Sequence, residues 1–155
     1  MIRKLQAGDR DKILRILSDT GNFNDEEIKI ALELIDVYLN NKDQKDYEIY
    51  VDENENDILG YVCFGPRPLT VGTYDLYWIA VNPVIQSKGI GSALMKFVET
   101  NLKKNNARLL LIETSGKSSY EKERKFYHKN EYSVFSEIKD FYNKGDSLVI
   151  FGKYL

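Results

Sequence analysis

The sequence predicts a mixed α/β (α+β) fold: a mostly antiparallel sheet with one parallel strand–helix–strand unit in its middle. Three observations carry this. Strand-like runs separated by turn residues occupy the stretch from Tyr47 to Val81. The amphipathic series Ile90, Ala93, Leu94, Phe97, Val98 and Leu102 follows and leads into the apolar run Leu109–Ile112. A last pair of strand-like runs closes around Asn143–Asp146, a hairpin-type NKGD turn. At 155 residues, 43% hydrophobic and 30% charged, the chain is long enough for a real core and reads as one domain over residues 1–155.

The elements follow in order. Ile2 to Leu5 suits a short strand, and Asp9 is placed to cap a helix whose apolar face is Ile13, Leu14 and Leu17. Gly21 ends it. Asn24 and Glu27 have capping-box spacing ahead of a second helix that buries Ile28, Ala31, Leu32, Ile35 and Leu39. Tyr47–Val51 and Ile58–Phe64 are strands, joined through Asp52–Asp57 (DENEND), a solvated turn because Asn and Asp favour turns. Cys63, inside an apolar run, reads as a buried small residue. Pro66 and Pro68 stop that strand, and Tyr74–Val81 is a third, rich in aromatic and β-branched residues. After the central helix and Leu109–Ile112, Ser118 and Glu121 have the spacing of a further capping box. It opens a helix carrying Arg124 and Tyr127. Val134–Ile138 and Leu148–Phe151 are the closing strands.

Composition excludes several classes. A net charge of -2 with scattered basic residues predicts no nucleic-acid partner. A single cysteine and a single histidine, Cys63 and His128, rule out an internal disulfide and any Cys/His metal cluster, so no metal is expected. The first residues lack the apolar core of a signal peptide, and no apolar run approaches the ~18 residues of a membrane span. A cytoplasmic protein with no membrane partner is expected.

The stretch Val81–Ser92, VNPVIQSKGIGS, carries the chemistry. Gly89 and Gly91 sit where the central helix begins. The first N–H groups of a helix lack intrahelical partners, and the helix dipole adds about half a positive charge. Glycines there leave room for phosphate oxygens. A tight turn with close helix packing explains the pair equally well. A dinucleotide site wants a third glycine where Leu94 stands, although Glu113 falls where a ribose-binding acid belongs. The loop between Val81 and Gly89 is also long for that site.

VNPVIQSKGIGSALM resembles the signature of the GNAT superfamily, the acyl-CoA-dependent N-acetyltransferases. Gln86, Gly89 and Gly91 fill the fixed positions of its Q/R-x-x-G-x-G/A loop, and Asn82-Pro83 stands at its D/N-P pair. The order of elements matches along nearly the whole chain. Glu113-Thr114-Ser115, Tyr120, Arg124, Phe126-Tyr127, Lys139–Tyr142 and Gly145-Asp146 resemble one bacterial subgroup.

The resemblance implies acetyl-CoA as cosubstrate and direct acetyl transfer to a primary amine of a small molecule or protein. It implies that the backbone of Ser87, Lys88, Gly89, Ile90, Gly91 and Ser92 binds the pyrophosphate, with Gln86 opening the loop. Ile79, Ala80 and Val81 would bond the pantetheine arm if their strand splays from the one at Leu109. The Val81 amide would polarise the thioester carbonyl. Tyr127 is the implied proton donor to the departing thiolate, against a reading as a core aromatic. Glu131 replaces the glycine usual after this helix. Tyr120, two helical turns before Tyr127, stands where the family has a coenzyme-contacting Asn. Asp75 and Glu113 are the candidate bases, each also readable as a solvated strand-end carboxylate. His128 points away from Tyr127 and reads as surface or structural. The tyrosine-rich YDLYW segment is read as an acceptor wall or as core packing. The resemblance leaves a homodimer open. Two alternatives stand beside it: a GNAT-fold module that binds acyl-CoA without catalysis, and a dinucleotide-binding protein.

Overall fold

The structure, a computed structural model, describes residues 1–55, 57–85 and 88–155. The strands order as β1-β2-β3-β4-β5-β7-β6 in a seven-stranded sheet. Its β4/β5 pair is parallel, and the pairs β1/β2, β2/β3, β5/β7 and β6/β7 are antiparallel. The mixed sheet with a central parallel unit is the expected architecture. The chain divides into two compact units, Met1–Gly65 with Tyr77–Val98, and Pro66–Leu76 with Glu99–Leu155. The strand Thr73–Val81 and the helix Ile90–Lys104 each have residues in both.

The first unit holds β1 (Ile2–Lys4), α1 (Arg10–Asp19), α2 (Asp25–Asn40), β2 (Glu48–Asn54), β3 (Asp57–Pro66), the end of β4 (Thr73–Val81) and the start of α3 (Ile90–Lys104). Its core joins Ile13, Ile16 and Leu17 of α1 and Ala31 and Ile35 of α2 to Ile49, Val51, Tyr61 and Cys63 of the sheet. Burying each such aliphatic side chain stabilises the fold by roughly 1.5–3 kcal/mol. Ile16 rather than Leu14 completes the α1 face, because residues 13, 16 and 17 share one side of a 3.6-residue helix. Asn24 and Glu27 form the expected capping box, each side chain accepting the other's backbone N–H at 2.8 Å. Asp9 does not cap α1. Its carboxylate instead accepts the Gln6 amide at 2.8 Å and two bonds from the Arg3 guanidinium, at 2.7 and 2.9 Å. Burial pushes the Asp9 carboxyl up, but Arg3 and the Gln6 amide hold it below the usual value.

Cys63 is 1% exposed, and burial raises its thiol far above the ordinary range, so it is a core residue. Gly60 on β3 allows a close approach. A Cβ there would meet the Ala80 carbonyl oxygen at 2.8 Å and Leu94 Cδ1 at 3.1 Å, so the start of α3 lies hard against β3.

The second unit holds the start of β4, β5 (Leu109–Ser115), α4 (Glu121–Lys129), β6 (Ser133–Asn143) and β7 (Asp146–Tyr154). Leu110, Ile112 and Phe151 are buried across β5 and β7. The NKGD turn forms as expected, with Gly145 at φ 79°. Strand β6 runs five residues past the predicted end at Ile138, to Asn143, and is exposed along its whole length. Its ladder to β7 shifts register twice, between Val134 and Ser136 and between Ile138 and Asn143.

The Ser118–Glu121 capping box is absent: Ser118–Tyr120 form a separate 3₁₀ turn with no side-chain cap bond. Tyr120 is therefore the residue before α4 rather than two turns up the same helix. At the other end, Glu131 takes the left-handed conformation (φ 68°) that glycine usually supplies. The helix still closes, with Glu131 N donating to His128 O and Tyr132 N to Tyr127 O, both at 3.0 Å. The missing glycine changes the strain, not the end.

Candidate active site

The loop half of the site belongs to the first unit. Strand β4 ends at Val81, and Asn82 fixes the exit. Its amide donates to the Leu59 carbonyl at 2.8 Å, and its side-chain oxygen accepts the Val84 amide at 3.0 Å. A 3₁₀ turn, Pro83–Ile85, follows. Gln86 and Ser87, expected in the loop, lie outside the described residues. Lys88 and Gly89 are exposed, and Gly89 has φ 80° with open space where a Cβ would stand. The first bond of α3 runs from the Ala93 amide to the Gly89 carbonyl at 2.9 Å. Ile90, Gly91 and Ser92 precede that bond, so among the described residues their amides have no intrahelical partner. The residues fit a diphosphate: open backbone donors, a helix dipole of the right sign, and a glycine with no side chain in the way.

Ile79 and Val81 are half-buried and Ala80 is buried at the end of β4. The β4/β5 ladder runs from Thr73 opposite Leu109 to Leu76 opposite Ile112. Both strands continue beyond it, β4 to Val81 and β5 to Ser115. In the YDLYW segment, Trp78 packs on Phe23 at 5.5 Å between ring centroids, in the core, whereas Tyr77 is 43% exposed.

The carboxylates belong to the second unit. Asp75 is buried and Glu113 exposed, and both meet one guanidinium. Arg67 Nη2 donates to Asp75 Oδ1 at 2.7 Å and to Glu113 Oε1 at 3.5 Å. Arg67 is the residue that sequence reading missed. It follows Pro66 in a loop whose return is set by bonds from Arg67 N to Thr73 O at 2.9 Å and from Thr70 Oγ1 to Arg67 O at 2.7 Å. That return, which eight residues of sequence do not announce, carries Arg67 to Asp75. The hydrogen bond that Arg67 donates to Asp75 raises the guanidinium above its ordinary value.

Tyr127 is 7% exposed, with Phe126 and Phe151 rings at 5.6 and 5.4 Å. Burial pushes its hydroxyl well above the ordinary 10, and the carboxylate of Glu123, one helical turn earlier, adds to the push. A knot of bonds fixes the start of α4. Arg124 Nη1 donates to the carbonyls of Ser115 at 2.8 Å and Lys117 at 2.7 Å. Ser115 Oγ in turn donates to Asp146 Oδ1, and Lys117 Nζ lies 3.3 Å from Asp146 Oδ2. The exposed His128 rests edge-on against Phe151 at 5.0 Å, in keeping with a structural role. Among the described residues there is no cluster of His, Cys, Asp and Glu that could hold a metal ion, and no helix is long and apolar enough to cross a membrane.

A parallel strand–helix–strand unit whose helix opens on glycine suits a phosphate-bearing ligand. The chain belongs to the GNAT family of acetyltransferases: it matches the acetyltransferase (GNAT) domain over residues 45–134. It is similar to a solved structure from Desulfovibrio desulfuricans assigned to that family, at 37% identity and TM-score 0.95, over 99% of this chain and 98% of the other. The fold also matches an aminoglycoside 6'-N-acetyltransferase complexed with coenzyme A, at 12% identity and TM-score 0.77, over 99% and 96%. A ribosomal-protein-alanine N-acetyltransferase from Brucella melitensis matches at 19% identity and TM-score 0.79, over 100% and 99%. Among proteins of curated function, none matches the sequence. The protein is thus an acyltransferase.

Proposed function

We propose that this protein is a single-domain enzyme over residues 1–155 that transfers the acetyl group of acetyl-CoA directly to a primary amine. The observation that carries the coenzyme reading is the start of α3, with Gly89 at φ 80° and open space beside it. Acetyl-CoA supplies an activated thioester. The amides of Lys88 to Ser92 take the diphosphate, with Gln86 and Ser87 completing the loop, and the edge of Ile79–Val81 takes the pantetheine arm. The Val81 amide donates to the thioester carbonyl oxygen, where negative charge grows during attack. Tyr120 contacts the coenzyme from the turn ahead of α4.

Two proton demands remain. A lysine-type amine is neutral in about one molecule in 2,500 at pH 7, whereas an α-amine of pKa ~7.7–8.0 is neutral roughly a tenth of the time or more. Glu113 is the better placed of the two carboxylates to take the amine's proton. It is exposed, and its link to Arg67 is a long 3.5 Å contact. The Asp75 oxygen at 2.7 Å from the guanidinium is committed to that ion pair, which gives Asp75 an anchoring part. Tyr127 serves the departing thiolate, its hydroxyl donating a hydrogen bond to the sulfur as negative charge grows there.

The test compares thermal shifts with acetyl-CoA and with NAD, then measures thiol release against polyamine, aminoglycoside, amino-acid and peptide amines. Stabilisation by acetyl-CoA and release with at least one amine class are expected. A shift with NAD alone, or no thiol release with any amine, overturns the reading. Light scattering on the same preparation reads whether a homodimer forms, and fractionation of the source cells tests the cytoplasmic location.

A further inference from the structure

Glu123 is a half-buried charge on α4 that nothing in the fold uses. Its Oε2 is buried without a hydrogen-bond partner, and among the described residues neither oxygen has a hydrogen bond or an ion pair. Buried carboxylate oxygens are nearly always paired, because an unmet one has lost its water for nothing. Cations of the same helix are engaged elsewhere. Arg124 goes to the carbonyls of Ser115 and Lys117, and Lys125 to Glu121 at 3.2 Å. The start of α4 favours an acid electrostatically but makes no bond to this one. The Tyr120 amide, the donor that an acid at the third helical position takes in a capping box, goes to the Lys117 carbonyl at 3.0 Å. The carboxylate therefore meets its surroundings through Oε1, with its other side already stripped of water.

Position says what that oxygen meets. Glu123 stands three residues after Tyr120 and four before Tyr127, so the three share one side of the helix start. After burial, the Glu123 charge is what pushes the Tyr127 hydroxyl up, so the two groups are neighbours. Tyr127 serves the sulfur of the coenzyme and Tyr120 a part further along, so the arm between those parts runs past Glu123. Its first hydrogen-bond donor is the amide N–H two carbons from the sulfur, roughly 4 Å away by ordinary bond lengths, and one helical turn covers about 5.4 Å. A carboxylate accepts an N–H more strongly than a neutral oxygen does, and a half-desolvated one does so with less competition from water. We propose that Glu123 is a coenzyme-binding residue, whose Oε1 accepts the amide N–H nearest the sulfur of the pantetheine arm. The strand edge at Ile79–Val81 then holds the thioester carbonyl and the rest of the arm. The inference rests on the acetyl-CoA reading.

The experiment measures binding by calorimetry to wild-type protein, Glu123→Gln and Glu123→Ala. The ligands are coenzyme A and its analogue with an ester oxygen in place of that amide nitrogen. The wild type is expected to bind coenzyme A at least tenfold tighter than the ester. Glu123→Ala should shrink that ratio to threefold or less, and Glu123→Gln, which keeps a neutral acceptor of the same shape, should fall between. Adenosine bisphosphate, the nucleotide end without the arm, should bind all three proteins within twofold. An unchanged ratio in Glu123→Ala overturns the proposal. So does an equal loss of all three ligands, which would make Glu123 a structural residue. Should Glu123→Ala not fold, a Glu123→Gln ratio as large as that of the wild type overturns it. Wild-type protein that binds coenzyme A and the ester alike sinks the inference alone, whereas no binding of coenzyme A sinks the acetyl-CoA reading and the inference with it.

Discussion

Replacing Tyr127 by Phe separates a hydroxyl that transfers its proton from one that only donates a hydrogen bond. The tyrosine is 7% exposed, and burial with Glu123 nearby holds its hydroxyl above the ordinary value of 10. A departing thiolate resembles a thiol of pKa ~8.5. Full transfer from this hydroxyl to the sulfur is therefore uphill by more than ~1.5 pKa units, or about 2 kcal/mol. A hydrogen bond to the growing charge avoids that penalty and contributes about 1.5–3 kcal/mol, which is roughly 10- to 150-fold in rate. Tyr127→Phe should thus lower kcat by about 10- to 100-fold and leave KM for acetyl-CoA nearly unchanged. The pH profile of kcat should show no alkaline limb from this residue below pH ~10. Steady-state thiol-release assays from pH 6 to 10.5 on both proteins check this. An alkaline limb below pH 10 that disappears in the variant would refute the reasoning, as would a variant as fast as the parent.

Three further outcomes follow. Gly89→Ala meets no atom within 4 Å but must hold φ 80°; the fold should lose about 1–2 kcal/mol and survive. Its Kd for acetyl-CoA should rise tenfold or more by calorimetry, and unchanged affinity would exclude the loop as the diphosphate site. Glu131→Gly relieves a left-handed side chain and loses one contact to Lys153 from a side chain 83% exposed. Stability should rise by about 1 kcal/mol, or roughly 2–4 °C in Tm. Tyr61, Tyr127 and Tyr132 are all raised above 10 by burial. A raised folded value means the stabilisation is complete below the unfolded value and is lost as pH climbs toward the folded one. Chemical denaturation should therefore give constant stability up to pH ~9 and a decline above ~10, by up to about 1.4 kcal/mol per pH unit for each tyrosine. A flat profile to pH 11 would contradict their burial.

The parts of the fold set by local periodicity were legible in the sequence. The Asn24–Glu27 box and the central helix follow from spacing alone, as does the hairpin at Gly145. The Ser118 box was misread because spacing cannot say whether the chain enters the helix directly or through a 3₁₀ turn. Asp9 was misread because a guanidinium six residues back competes for its carboxylate. In the site, the glycine turn was visible because it is contiguous. The Arg67–Asp75–Glu113 cluster was not, because it depends on a loop return and on the parallel register of β4 with β5. Sequence gave both carboxylates but not the cation that divides their roles.

Strand β6 lies at the outer end of the strand order and exposes Val134, Phe135, Ile138, Phe141 and Tyr142. Such an edge invites another chain to add itself in β-fashion. The two register shifts of β6 break that invitation. A strand zipping along it would fall out of step at Phe135 and again past Ile138, where Asp140 turns to φ 54° and binds the Gly145 amide at 2.7 Å. The molecule can thus carry a row of greasy side chains at its rim and still resist growing into fibres.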